Sequence, residues 1–255
     1  MDLSYKEKLD RLQLRIRAHK EFANIDISDW IDGFVRRAPR RAIFDLGCGD
    51  GNHLGTYLSG VGPDGKVAGL DREARLIDEA RKKYPDATHL DLRVGSMDDP
   101  LPFADATFDL CFSNFAIYNA ANPRFTILEL KRVMTPGGEL VLIGPTSNNA
   151  RELYVYNERL TGKAIDEITL VRTDRIRQEI LPIVEDTFPR VEQEIVNSFL
   201  TFPTRDEFLL YFRSTQLYEE TAEKRGMTLE QMTAAMTQEK DIVLSKEMVA
   251  VVAKK

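Results

Sequence analysis

Apolar residues along the chain switch between two periods, and the switching predicts the elements. Leu9, Leu12 and Ile16 fall at helical spacing among Lys, Arg, Asp and Glu, which predicts an amphipathic N-terminal helix. A second short helix is read over 28–37, with Ser28 as its N-cap. Residues 42–46 form a brief apolar run, read as a strand, that ends in Gly47-Cys48-Gly49-Asp50-Gly51. A helix over 52–58 and a turn cluster over 60–65 lead to a second strand, 66–70, closed by Asp71. Ala74, Ile77, Ala80 and Tyr84 mark one face of the next helix. Strands follow over 88–94 and 108–113, then a helix over 127–134. The turn Pro136-Gly137-Gly138 opens a fifth strand, 139–143.

Strands alternating with helices at these spacings imply a parallel sheet covered on both faces, an α/β fold. After Pro145 the rhythm breaks. Helices are read over 148–161, 173–181, 205–218 and 228–238, and strands over 191–201 and 242–252. The expected division is an N-terminal helical cover over 1–38 and one domain over 39–255, with 147–185 inserted as a lid.

Charge and composition narrow the function. Apolar residues make up 43% of the 255, enough for a real core and against wholesale disorder. A net charge of -6 does not supply the basic face that nucleic acid needs. Two cysteines, Cys48 and Cys111, are too few for a disulfide framework and sit in apolar runs, so both are read as buried thiols in a reducing cytoplasm. No apolar run is long enough to cross a membrane, and residues 1–10 are too polar for a signal peptide. No His/Cys cluster has metal-ligand spacing.

Chemistry concentrates at residues 45–51. Glycines after a strand let backbone approach a ligand, and the next helix N-terminus favours an anionic group such as a carboxylate. A dinucleotide site would show G-x-G-x-x-G; here the spacing is G-x-G-x-G, and Asp45 stands two positions before the first glycine. A carboxylate there repels a pyrophosphate and suits an ammonium. Asp71, at the end of the next strand, can accept hydrogen bonds from both hydroxyls of a ribose; it also suits an N-cap.

In order, Phe44-Asp45-Leu46-Gly47-Cys48-Gly49-Asp50-Gly51, Gly69-Leu70-Asp71, Phe108-Asp109-Leu110-Cys111-Phe112-Ser113-Asn114 and Lys131-Arg132-Val133-Met134-Thr135-Pro136-Gly137-Gly138 resemble the motifs of the class I S-adenosylmethionine-dependent methyltransferases, in their small-molecule branch. The likeness covers residues 42–144. It implies a Rossmann-like, mostly parallel seven-stranded sheet with a reversed last hairpin. It implies S-adenosylmethionine as cofactor, held by Asp45, Gly47, Cys48, Gly49, Asp71, Arg72, Ser96, Met97 and Asn114. One departure stands out: the family often has Asp at the end of the third strand, where this chain has Ser96, with Asp98 as a possible substitute.

The implied reaction is methyl transfer to an O, N or C atom of a small-molecule acceptor. The Asn-Pro-Pro-Tyr run of base and glutamine methylation is absent after the fourth strand, where Tyr118 and Asn119 are expected at the mouth of the site. Leu153, Tyr154 and Tyr156 are lid candidates, and equally ordinary packing. His19 and Tyr118 are the catalytic candidates. His53 is read as packing or capping its helix, and His89 as structural, within a strand. Arg11, Arg15, Arg17, Arg151 and Arg172 suit an acceptor bearing carboxylate or phosphate, or else a solvated face. Expected partners are the acceptor alone, without nucleic acid or membrane, in a cytoplasmic monomer or homodimer. A nicotinamide-dependent oxidoreductase and a non-catalytic S-adenosylmethionine-binding protein stay open.

Overall fold

The computed structural model describes residues 9–164 and 173–255. Seven strands form one sheet: β1 (Arg40–Leu46), β2 (Val61–Asp71), β3 (Leu90–Val94), β4 (Phe108–Asn114), β5 (Met134–Pro145), β6 (Arg190–Phe202) and β7 (Ile242–Lys254). Their order is β3-β2-β1-β4-β5-β7-β6, and only β7 runs against the rest. The chain order reverses beside β1, so the carboxyl ends of β1 and β4 flank the crevice where such sheets bind ligands. Strands β4 and β5 are buried on both faces, as their near-continuous apolar runs require.

Two apolar clusters fill the two sides of the sheet. Helix α5 (Pro123–Val133) packs Ile127 and Leu130 on one side with Phe44, Cys111 and Leu142. On the other side α2 (Ile27–Val35), α3 (Leu54–Gly60) and α4 (Ala74–Lys83) bring Ile31, Phe34, Tyr57 and Ile77 against Ile43 and Phe112. Both cysteines are buried, as expected. The N-cap of α2 is Asp26, whose carboxylate accepts from the Ser28 N–H, so the cap lies two residues before the expected Ser28.

Two strands run longer than their apolar cores. Strand β2 absorbs the turn-like 61–65, because Arg40 pairs with Val61 before the register jumps to Ala42 opposite Lys66. Strand β5 likewise takes in Pro136-Gly137-Gly138 around a break between Phe108 and Leu110. His89 is not in a strand: it lies exposed in the turn before β3, where its carbonyl accepts from Val67.

A third cluster lies beyond the sheet. Helix α1 (Leu9–Phe22) and α6 (Arg151–Thr161) meet the helix Arg205–Arg213 over the outer ends of β6 and β7. Ala18, Leu153, Tyr156, Phe208 and Phe212 are buried there. Tyr156 donates its hydroxyl to the Met232 carbonyl at 2.7 Å and meets Phe208 and Phe212 edge-on, so it is core and roofs no pocket. The other end of the 147–185 segment behaves differently. Ile176 and Ile180, followed by α7 (Leu181–Thr187), pack on the sheet beside Leu130.

Candidate functional site

A cavity of about 480 Å³ opens past the carboxyl ends of β1, β2, β4 and β5. Its floor is the loop after β1. Gly47 (φ +82°) and Gly49 (φ +55°) hold the left-handed conformation that side chains with a Cβ rarely adopt. A Cβ on Gly47 would lie 2.2 Å from the Ala116 Cβ, so this loop must be bare to pass the end of β4. Gly47 and Cys48 both donate to the Leu70 carbonyl, at 2.7 and 3.2 Å. The Cys48 thiol is buried and pushed up by that burial, then by Asp45 and Asp71, so it stays protonated as a small apolar wall.

Asp45 is 2% exposed, and its Oδ1 has no hydrogen-bond partner. Burial, then the charge of Asp71, raises its carboxyl from 3.8 to about 8. An unsatisfied buried carboxylate is costly and marks a place built for a donor that comes from outside the chain. Asp71 splits its two oxygens. Oδ2 accepts from Gly49 and Oδ1 from Glu73, each at 2.9 Å. The cap position of α4 belongs to Glu73, so Asp71 ties the glycine loop to the start of the helix without being its N-cap. Burial leads the upward shift of its carboxyl, and the two backbone donors oppose it.

The loop after β3 brings Ser96, Met97 and Asp98 to the cavity. Ser96 Oγ accepts from the Asp98 N–H at 3.1 Å. Asp98 Oδ1 in turn accepts from Ala121 and Asn122, so this carboxylate orders the turn before α5. Arg72 lines the cavity with its Nε 3.7 Å from the Glu73 carboxylate. Asn114, at the end of β4, donates to the Tyr57 hydroxyl at 2.5 Å and leaves its own Oδ1 without a partner. Tyr57 is fixed by stacking on Phe112, centroids 4.8 Å apart. Tyr118 and Asn119 reach the cavity on a single turn, Ile117–Asn119, pinned by Arg175, which donates to the Tyr118 and Ala120 carbonyls. Arg175 gave no sign of this role in the sequence, because its partners are 55 and 57 residues away.

The opposite wall comes from α1 and the C-terminal half. Leu12, Arg15, Ile16 and His19 of α1 line it together with Ser198, Tyr211, Lys246 and Met248, and His19 meets Tyr211 edge-on. Burial, then Lys246 and Arg15, lowers His19 to about 3, so the ring is neutral across the physiological range and a feeble proton acceptor. His53 also lines the cavity; burial lowers it to about 4, its Nδ1 lacks a partner, and it supplies no side-chain cap to α3. Arg11 pairs with Glu219 and Glu223, and Arg17 with Glu21 and Glu207, so these two arginines clamp α1 to its neighbours and face no ligand. Arg151 is exposed and donates to the Ser147 carbonyl; Arg172 lies outside the described residues. Among the described residues no cluster could hold a metal ion, and no helix is long and apolar enough to cross a membrane.

Helix α1 sits directly over the glycine loop: a Cβ on Gly49 would be 4.0 Å from Leu12 Cδ2. A helix that covers a ligand and packs mainly through ion pairs opens readily without it. Amide hydrogen exchange over residues 9–22 is therefore expected to slow when S-adenosylhomocysteine is added. Exchange already slow and unchanged by the ligand would make α1 fixed structure. Residues 1–8 of the expected cover lie outside the described residues.

Comparison with known proteins agrees with this geometry. Residues 44–142 match the family described as methyltransferase domain. The chain is 27% identical over 185 residues to a demethylmenaquinone methyltransferase of Halalkalibacterium halodurans, covering 69% of this chain and 67% of the relative. It is 32% identical over 107 residues to an uncharacterized 37.1 kDa protein of a Streptomyces fradiae transposon, covering 42% of this chain. The chain spans only 31% of that relative's length. The fold is shared with the crystal structure of a putative methyltransferase from Bacillus halodurans, at a TM-score of 0.62 and 15% identity, over 89% of this chain and 98% of that one.

Proposed function

We propose that this chain, whose residues 44–142 form a class I S-adenosylmethionine-dependent methyltransferase domain, transfers the methyl group of that cofactor to an O, N or C atom of a small molecule. The observation that carries the reading is the buried, unpartnered Oδ1 of Asp45 beside a glycine cradle that a single Cβ would fill. The residues fit the cofactor. Asp45 suits its ammonium, Gly47, Cys48 and Gly49 the backbone-lined approach, and Asp71 the ribose hydroxyls. Arg72, Ser96, Met97 and Asn114 line the same half of the cavity. When bound, the cofactor supplies a sulfonium-activated methyl group.

The chain's own residues contribute position and water exclusion. Holding donor and acceptor in line is worth up to about 7–11 kcal/mol. Tyr118 and His19 flank the acceptor end; a neutral His19 can orient a hydroxyl or amine by accepting its hydrogen, and it is too weak a base to strip a proton from an unactivated alcohol. A cavity of about 480 Å³ in a chain of net charge -6 supports a compact acceptor over nucleic acid or a protein tail.

Labelled S-adenosylmethionine incubated with the protein and a size-fractionated cell extract is expected to label the small-molecule fraction. Label confined to macromolecules and released by ribonuclease or protease would make the acceptor assignment wrong.

A further inference from the structure

The two halves of the cavity differ in charge. Its cofactor half is lined by Asp45, Asp71, Glu73 and Asp98 against a single cation, Arg72. The half past β5 is lined by Lys246, with Arg15 of α1 on the same side of the cavity. Lys246 is the unusual one. Register places Met248 opposite Pro145, the last residue of β5, so Lys246 stands beyond the carboxyl end of that strand. It shares a strand face with Ile242, Leu244 and Met248, all buried, and it is itself only 8% exposed. His19 lines the same cavity, and the charge of Lys246 contributes to the lowering of that ring. Ser198 is its cross-strand partner on β6.

Lysine is almost never buried without a partner. Among the described residues no carboxylate pairs with Lys246 and no hydrogen bond satisfies its ammonium, whereas the comparably buried cations Arg40 and Arg175 pair with Glu139 and Glu179. The methionyl carboxylate of the cofactor does not answer this need. It belongs at the glycine loop after β1, and β7 stands three strands away, about 14 Å at ordinary strand spacing.

We infer that Lys246 is the anchor for an anionic oxygen group, carboxylate or phosphate, on the methyl acceptor. This rests on the methyltransferase reading and specifies its substrate class. The anion docks past the end of β5 against Lys246, with the hydroxyl of its cross-strand partner Ser198 lining the same wall. The rest of the acceptor then extends toward Tyr118 and the end of β4. A cationic amine is disfavoured at this end by the charge of Lys246.

The test is binding to the protein saturated with S-adenosylhomocysteine. The probes are benzoate and phenyl phosphate, with benzamide and phenol as neutral counterparts. One or both anions are expected to bind at millimolar concentration and their neutral counterparts at least about tenfold more weakly. Which anion binds tells carboxylate from phosphate. Lys246→Met should weaken the anion by about tenfold or more, Lys246→Arg should retain it, and both variants should keep the melting temperature and the affinity for S-adenosylhomocysteine. Neutral probes binding as well as anions, anion binding untouched by Lys246→Met, or no anion binding at all would overturn the inference. So would a loss of S-adenosylhomocysteine affinity in Lys246→Met, which would assign the lysine to the cofactor. Failure of the wild-type protein to bind S-adenosylhomocysteine is a separate result, and it would overturn the methyltransferase reading itself.

Discussion

Replacing Asp45 by Asn is expected to make the unliganded protein more stable at pH 8 and above while weakening S-adenosylmethionine binding by roughly ten- to a hundredfold. Both effects come from one buried charge. Burial raises this carboxyl from 3.8 to about 8, so the folded chain holds the proton more tightly than the unfolded chain does. Between those two values the folded state binds more protons, and stability therefore falls as pH rises from about 4 to about 8. Below that window both states are protonated and the group contributes nothing against folding. Above it the full penalty is present, on the order of several kcal/mol. Asparagine removes the charge but still buries a polar amide, so the expected net gain is smaller, about 1–3 kcal/mol. The binding loss follows because an ammonium pairs with a carboxylate by about 1.5–3 kcal/mol more than with an amide. The cofactor's ammonium also draws the proton off Asp45, so wild-type affinity should rise between pH 6 and 8 and binding should release a proton. Melting curves across pH, and calorimetry in buffers of different ionisation enthalpy, read both. A variant less stable than wild type at pH 9, or binding with no proton released, would show that Asp45 is neither strained nor the ammonium's partner.

The cofactor half of the site was legible in the sequence because its parts are local. Glycines, Asp45 and Asp71 lie within 27 residues at the ends of two adjacent strands, and the turn chemistry of each is set by its own neighbours. The acceptor half is assembled from α1, the turn after β4, β6, β7 and the helix Arg205–Arg213, and no local spacing records that meeting. Lys246 did leave a trace. Ile242, Leu244 and Met248 alternate as the inward face of a strand, and a lysine at the intervening inward position is a polar residue where the period calls for an apolar one. Tyr156 shows the opposite case. It shares a helical stripe with Leu153 and Leu160, which marks a packing face, and its polar tip finds the Met232 carbonyl within the core. His89 looked structural because an apolar run was extended two residues too far, whereas the strand starts at Leu90 with the first parallel pair, Val67 to Leu90. The absence of Asp at the Ser96 position has a local answer: Asp98 is present but spends an oxygen on Ala121 and Asn122, ordering the turn that carries Tyr118 and Asn119 into α5.

Asp71→Ala is expected to weaken cofactor binding by about 2–4 kcal/mol, the loss of two charge-assisted hydrogen bonds to ribose hydroxyls. That is roughly a thirty- to thousandfold rise in the dissociation constant of S-adenosylhomocysteine. Each Asp71 oxygen already accepts one backbone N–H, from Gly49 and from Glu73, and each retains a lone pair for a second donor. The fold should survive the change. The two backbone donors lose their acceptor, which costs about 1–3 kcal/mol, but burial has raised the Asp71 carboxyl, so removing its charge offsets part of that cost. Asp71→Asn separates the two roles, because its amide oxygen can still serve Gly49 or Glu73 while accepting far more weakly from a diol. Asn should therefore restore the melting temperature toward wild type and leave most of the affinity lost. Calorimetric titration of both variants decides it. If alanine leaves the affinity unchanged, Asp71 acts only by tying the glycine loop to α4. If asparagine restores affinity and stability together, the carboxylate charge has no part in holding the ribose, and the binding defect of alanine is a loop defect.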